Sequence, residues 1–434
     1  MTTETASTDT PPTRLSMPRA MLLVFAPFAC GYFFSYFYRT ANAVIAPDLR
    51  ADVGVGPAEL GLLTATYFLT FAACQIPLGL LLDRYGPRRV QGLLYGVAAL
   101  GALLFSYGED VSTLMLARAL IGVGVSGGLM AALKAIVQWF PRERLALVNG
   151  WYFASGAFGA LAATRPLEFA LQFMDWRGLF VVLAIATAAA AVLILLVVPD
   201  KPDSRAGGSL RRQVQELGEI YRDPYFWRVV PLMFTGASAN MAIQGLWAGP
   251  WLAEVDGFGR EVVANHLLVM AFAMLVGVSL SGVFAAALQR LGLTLAGACG
   301  TGALLTIASL LLVVTRVGAG ETFSLPGIRA PLEATYLVWA FVGFSGTLTS
   351  LVFAALGQHF PEARIGRGNT AANVMVFLTS FGYQFGMGAI IEQWTPDAGG
   401  SYPVEAYTVA FLATIATMVV AFVWFVWPIR GRYR

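Results

Sequence analysis

The sequence predicts an all-α polytopic membrane protein with twelve transmembrane helices. Two observations carry that reading. Of 434 residues, 57% are hydrophobic and only 12% are charged, about half the charged share of a soluble domain, and the mean hydropathy is +0.68. The apolar residues also fall in long runs. A bilayer core about 30 Å thick takes roughly 20 helical residues to cross, and twelve stretches reach that length. The strict alternation of outer-membrane barrel strands is absent from the sequence. A cytosolic enzyme or a nucleic-acid binder does not fit this composition.

In chain order the expected spans are 20–47, 57–82, 89–107, 112–138, 145–172, 177–199, 227–253, 262–288, 293–315, 333–358, 368–394 and 404–428. The first 18 residues are rich in Thr, Ser and Pro. The apolar run after them is too long for the core of a signal peptide, so it is expected to stay as span 1. Cys30, Cys74 and Cys299 lie inside spans with no metal-ligand spacing, and His266 and His359 are the two histidines. No metal site or cofactor is expected.

Sorting the 28 basic residues by connection gives 19 on the side of the termini, 5 on the other side and 4 inside spans. By the positive-inside rule both termini are expected to be cytoplasmic, in a cytoplasmic (inner) membrane. Residues 200–226 are the most charged internal stretch and read as a linker. The expected organisation is a tail at 1–19, a six-helix bundle at 20–199, the linker, a second bundle at 227–428 and a basic tail at 429–434.

The two halves echo each other. Ala46-Pro47-Asp48-Leu49 with Gly54 and Gly56 recurs as Gly249-Pro250-Trp251-Leu252 with Gly257 and Gly259, an offset of 203. Arg84-Tyr85-Gly86 recurs as Arg290-Leu291-Gly292, and Phe140-Pro141 with Arg144 and Asn149 recurs as Phe360-Pro361 with Arg364 and Asn369. Two pseudo-symmetric six-helix bundles related by an axis along the membrane normal are a transporter architecture, with the substrate near the midplane between them.

The segment Gly79-Leu-Leu-Leu-Asp83-Arg84-Tyr85-Gly86-Pro87-Arg88-Arg89 resembles the signature loop of the major facilitator superfamily. Arg118-Ala-Leu-Ile-Gly122-Val-Gly124 resembles that superfamily's span 4 motif, and Trp139-Phe140-Pro141-Arg142-Glu143-Arg144 its connection between spans 4 and 5. The resemblance implies rocker-switch alternating access. It also implies a conformational gate drawn from Gly79, Asp83, Arg84, Gly86, Arg88, Arg118 and Arg144. The second half departs from the pattern, with Gln289 at the counterpart of Asp83 and Val338 at that of Arg118. In span 5, Gly156-Ala157 stands where drug/proton exporters carry Gly-Pro, which argues against multidrug export.

Ionisable groups inside a membrane cost at least a few kcal/mol and mark transport pathways. Four basic residues, Arg39, Arg118, Lys134 and Arg165, lie within spans, and no acid lies well inside one. The acids nearest membrane depth, Asp83, Glu168, Glu254 and Glu392, stand at span ends. An interior of positive sign calls for an anionic ligand. Tyr32, Ser35, Tyr36, Arg39 and Asn42 share one stripe of span 1, and Arg39 is expected at the substrate. The run around it resembles span 1 of the anion:cation symporters and the organophosphate:phosphate antiporters, where an arginine meets the substrate's anionic group. Lys134, about 10 Å from the end of span 4, is expected at the substrate or at a gate. Arg118 lies about 160° around that helix from Lys134, so the two do not share a face. The second half contributes polar stripes: Asn240, Gln244 and Trp247 on span 7, and Asn373 and Gln384 on span 11.

These residues lead to a secondary active transporter for a small organic anion, carboxylate or organophosphate, working as a monomer in the lipid bilayer with a proton or counter-anion as possible coupling partner. Two other readings stay open: efflux of a neutral or amphipathic compound, and a non-transporting membrane sensor.

Overall fold

The computed structural model describes residues 15–200, 210–323 and 332–427. The tails expected at 1–19 and 429–434, apart from residues 15–19, and residues 201–209 of the linker lie outside the described residues. Twelve membrane-crossing helices, taken among those residues, form two bundles of six. Helix α1 runs Met17–Thr40 and continues as Asn42–Val53, so Pro47, expected at the end of span 1, sits inside a longer helix. Helices α2 and α3 are the two arms, 57–85 and 87–107, of one helical run bent at Gly86. Then come α4 (Val111–Trp139), α5 (Leu145–Ala162, followed after a break at 163–164 by the short helix Arg165–Ala170) and α6 (Trp176–Val197). The second bundle holds α7 (Pro224–Val255), α8 (Arg260–Arg290), α9 (Leu295–Val314), α10 (Thr335–His359), α11 (Glu362–Ile391) and α12 (Val404–Val426). Part of the expected linker is itself helical, Leu210–Ile220. A two-residue antiparallel pair joins Thr322–Phe323 to Leu332–Glu333 in the connection after α9.

Helix boundaries follow local chemistry. Asp110, Asp175, Asp223 and Thr294 each accept a hydrogen bond from a backbone N–H in the first turn of the helix they precede, which satisfies donors that a helix start leaves open. The sequence repeat acquires a geometric meaning at the other boundaries. Gly54 and Gly257, 203 residues apart, have φ of +72° and +73°, and Gly86 and Gly292, 206 apart, have +77° and +89°. L-residues avoid this left-handed region, so the repeat marks equivalent turns in the two bundles. Phe140 and Phe360 are likewise both extended, each ending its helix before proline. Helices α4 and α10 are interrupted at 126–127 and 349–350.

We call the end carrying residue 200, the linker helix and Asp223 the linker end, and the other the distal end. At the distal end the bundles are fused by one hydrophobic core. It joins Ala43, Leu60, Leu63 and Phe68 of the first bundle to Trp247, Trp251, Leu267, Phe377 and Met387 of the second. Backbones meet there because glycine permits it. A Cβ on Gly249 would lie 2.2 Å from the Ala43 carbonyl oxygen, and one on Gly388 would lie 2.3 Å from that of Pro57. Toward the linker end the second bundle has a separate core, built on Phe226, Val230, Leu232, Cys299, Val352 and Val376. The halves are therefore closed against each other at the distal end.

Candidate functional site

Arg39 lies where aromatic side chains of the two bundles meet. Its α1 stripe turns toward the seam between halves. The guanidinium carbon stands 4.6 Å from the ring centre of Tyr36, 5.6 Å from Phe71 on α2 and 5.4 Å from Phe377 on α11. Phe71 and Phe377 touch across the seam with ring centres 4.1 Å apart. Arg39 is 9% exposed, and its Nε has no hydrogen-bond partner among the described residues. Cation–π contacts of this kind contribute about 0.5–2 kcal/mol each, which offsets part of the cost of holding a cation at this depth without neutralising it.

The expected polar stripes are held by hydrogen bonds to their own neighbours. Asn42 donates to the Thr64 hydroxyl at 2.7 Å, and the Gln384 side chain donates to the Ala242 carbonyl at 3.3 Å. Trp247 donates its indole N–H to the Gln384 carbonyl at 3.3 Å. Asn42, Asn240, Gln244 and Gln384 each keep one amide atom buried and unpaired among the described residues. Such atoms cost about 1–3 kcal/mol each when left unmet; Gln91, Tyr95, Arg118, Asn149 and Asn369 carry others among the described residues. Tyr32 stacks on Tyr152 at 4.5 Å and packs edge-on to Tyr36 at 5.1 Å, forming an aromatic wall beside Arg39. Asn373 is half-buried on α11.

Two expected site residues lie elsewhere. Lys134 is the first, expected at the substrate or at a gate. In the fold its Nζ donates to the Asp83 carboxylate and to the Leu82 carbonyl, both at 2.9 Å, at the linker end of the first bundle. The long lysine arm reaches along α4 to the end of α2, where the acid is. Arg118 is 1% exposed inside the first bundle, donating to the Tyr38 carbonyl at 2.9 Å and lying 4.8 Å over Phe105. Tyr38 directs its own hydroxyl to Thr187 of α6 at 2.9 Å, so Arg118 braces the back of α1, away from the seam. Of the remaining gate residues, Gly79 lies in the last turns of α2 and Gly86 makes the bend to α3. Arg88 grips the Leu195 carbonyl of α6 through Nε at 2.9 Å, Arg84 lies 5.2 Å over the Tyr85 ring, and Arg144 is exposed in the turn 142–144.

A second cluster was not foreseen. Four ion pairs among the described residues cross from one bundle to the other at the distal end. Arg50 pairs with Glu254, and Arg165 pairs with Glu261 at 2.5 Å. Arg260 makes a two-pronged contact with Asp48 at 2.7 and 2.8 Å and reaches Glu168 at 3.3 Å. Glu254 also accepts from the Tyr402 backbone N–H, and Arg50 donates to the Gly400 carbonyl. The signal was present in the sequence as outward arginines and span-end acids, but each partner lies some 92 to 212 residues away in the chain. Phe71, Phe377 and Tyr152 carried no signal, being 3 of 45 Phe and Tyr residues. Just beyond α7, burial pushes the Asp256 carboxyl up to about 6, opposed by Arg316 3.7 Å away.

Comparison with known proteins agrees with this architecture. The family description Major Facilitator Superfamily matches residues 28–382. A Cupriavidus necator protein named "Probable sulfoacetate transporter" is 24% identical over 370 residues, covering 81% of this chain and 84% of that one. The Escherichia coli hexuronate transporter is 23% identical over 281 residues, 60% of this chain and 64% of its own. A bacterial homologue of the human lysosomal transporter Spinster, solved in an inward-facing and unoccupied conformation, superposes with a TM-score of 0.73 at 17% identity, covering 95% of this chain and 97% of that one.

Proposed function

The chain belongs to the major facilitator superfamily, and we propose that it is a secondary active transporter of a small, singly charged organic anion, with Arg39 holding the anionic group. The observation that carries the reading is Arg39 itself: a cation at the seam, flanked by aromatic rings from both bundles, with no acid beside it among the described residues. A carboxylate or sulfonate supplies the missing counter-charge through short charge-assisted hydrogen bonds. The unpaired amides of Asn42, Asn240, Gln244 and Gln384 meet the hydroxyl or carbonyl groups of the substrate's remainder.

The substrate's charge follows from where the other cations are. Lys134 is engaged by Asp83 and Arg118 by the back of α1, so Arg39 stands as the cation at the substrate. That favours a monoanion over an organophosphate dianion. The name of one relative, the hexuronate transporter, points to a monoanion, whereas that of another, the sulfoacetate transporter, points to a dianion with a carboxylate and a sulfonate; both are organic anions.

With the linker end cytoplasmic, the distal ion pairs and fused core seal the site from outside, and the Lys134–Asp83 contact belongs to the opposite gate. Rocking of one bundle on the other about the Arg39 level then exposes the site alternately. A thermal-shift screen of the purified protein against carboxylates, sulfonates, phosphates, nucleosides and cations tests the proposal. A monoanion should stabilise the protein, and Arg39→Ala should abolish the shift. Stabilisation by a cation or neutral compound that survives Arg39→Ala overturns it.

A further inference from the structure

Phe377 of α11 reaches across the seam and packs on two rings of α2. Phe68 and Phe71, one helical turn apart, have ring centres 6.1 and 4.1 Å from its own. All three rings are buried. The Arg39 guanidinium joins this cluster, 5.4 Å from Phe377 and 5.6 Å from Phe71. Its other neighbours, Tyr36 on α1 and Tyr67 on α2, belong to its own bundle. Phe377 thus brings the second bundle to this charge.

Two properties of the contact decide what it does. A cation–π attraction arises from the negative face of the ring acting on the charge, and it fades beyond about 6 Å from the ring centre. At 5.4 Å, a displacement of under about 1 Å takes the pair past that limit. Arg39 and Phe377 stand on different bundles, so rocking of one on the other supplies the displacement. The attraction also depends on how much of the charge is uncompensated. A carboxylate or sulfonate bonded to the guanidinium offsets that charge at closer range than the ring does, so the ring holds Arg39 less firmly once the site is filled.

We propose that Phe377 is a positioning residue that acts through Arg39. In the empty carrier it ties the second bundle to the charge and favours the conformation closed at the distal end, and an anion on Arg39 loosens the tie. The proposal rests on the reading of Arg39 as the anion's partner. Occupancy and conformation are then linked: the loaded carrier leaves the distally closed conformation more readily than the empty one.

The test is a double-mutant cycle on the full chain in lipid nanodiscs. Double electron–electron resonance reads the distance between spin labels at Glu109 and Ala398, exposed positions in different bundles, with Cys30, Cys74 and Cys299 replaced by alanine. Phe377→Leu removes the ring but keeps an apolar side chain, Arg39→Met removes the charge, and Phe377→Tyr keeps the ring. Equal size-exclusion profiles confirm folding. Without substrate, Phe377→Leu and Arg39→Met should each raise the ratio of the longer to the shorter distance component by about two- to thirtyfold, the range of one cation–π contact. The double variant should fall short of the product of the two changes, because both remove the same contact, and Phe377→Tyr should match the wild type. Independent, multiplying effects, or a shift in Phe377→Tyr as large as in Phe377→Leu, overturn the tie and leave Phe377 a packing residue. D-Glucuronate and isethionate, a carboxylate and a sulfonate monoanion, are then added to the wild type and to Phe377→Leu. An anion that raises the wild type's Tm should also lengthen its distances, and should move Phe377→Leu less. A raised Tm with unchanged distances overturns the release and leaves the Arg39 reading standing. If neither anion changes the Tm or the distances, the release falls together with that reading.

Discussion

Replacing Arg260 with Gln should loosen the distal closure by an amount set by its two partners. Arg260 is 45% exposed, and its pair with Asp48, itself 26% exposed, is two-pronged but solvent-screened. Such a pair contributes about 0–1 kcal/mol. Glu168 is different: its side chain is 10% exposed, and losing its cation leaves a nearly buried carboxylate short of hydrogen bonds, a penalty of about 1–3 kcal/mol. The closed form should therefore lose about 1–2 kcal/mol relative to the open one, a five- to thirtyfold change in the ratio of the two. Spin labels at Glu109 and Ala398, exposed distal positions in different bundles, report this by double electron–electron resonance. The background is a chain with Cys30, Cys74 and Cys299 replaced by alanine. The Arg260→Gln distance distribution should gain a longer component, and raising the salt concentration should move the wild type the same way. Distributions that stay identical under both perturbations refute the idea that these ion pairs hold the end shut.

Three further outcomes are expected. Gly388→Val places side-chain carbon against the Pro57 carbonyl, where even a Cβ would lie at 2.3 Å; transport should fall at least about tenfold with the distal end held apart, and transport at the wild-type rate contradicts the close crossing. Asp83→Asn and Lys134→Met should each slow transport, while the exchange Asp83→Lys with Lys134→Asp should restore part of the rate; no recovery in the exchanged pair argues against a direct contact at 2.9 Å. Asp256 binds its proton more tightly in the folded chain, at about 6, than at the ordinary value of 3.8. Its contribution to stability is thus present below about pH 4, declines as pH rises to about 6 and is flat above, about 3 kcal/mol from the shift itself and less once solvent screening of a partly exposed group is allowed for. Subtracting the pH–Tm curve of Asp256→Asn from the wild type's should show that falling slope, and a flat difference contradicts the burial.

Much of the fold was legible because membrane solvent writes it into the sequence directly: an apolar run of roughly 20 residues is a helix since nothing else satisfies its backbone in lipid. The repeat was legible for a related reason. Gly54 and Gly257 have to be glycine to turn as they do, so the spacing survives where side chains do not. Boundaries were less readable. Pro47 looked like a stop, yet a helix tolerates proline where other groups cover the freed carbonyl, and α1 continues to Val53. At the site, Arg39 stood out because a lone cation in an apolar span has few roles. Lys134 has the same pattern in sequence, and only the fold shows Asp83 within reach. Helical periodicity fixes the face and depth of a residue on its own helix, but it does not say which acid from another helix arrives there. For the same reason Asp48, Arg50 and Arg260 read as scattered charges of the connections, and Glu254 as an acid at a span end, until the two bundles were brought together.

The most direct test of the account is counterflow uptake in proteoliposomes, comparing the anion that most stabilises the protein with its uncharged amide, in the wild type and in Arg39→Gln. The wild type should move the anion and not the amide, and Arg39→Gln should lose the anion while the thermal stability of the unliganded protein is retained. Equal uptake of acid and amide by the wild type, with anion uptake unchanged in Arg39→Gln, contradicts Arg39 as the group that holds the substrate's charge.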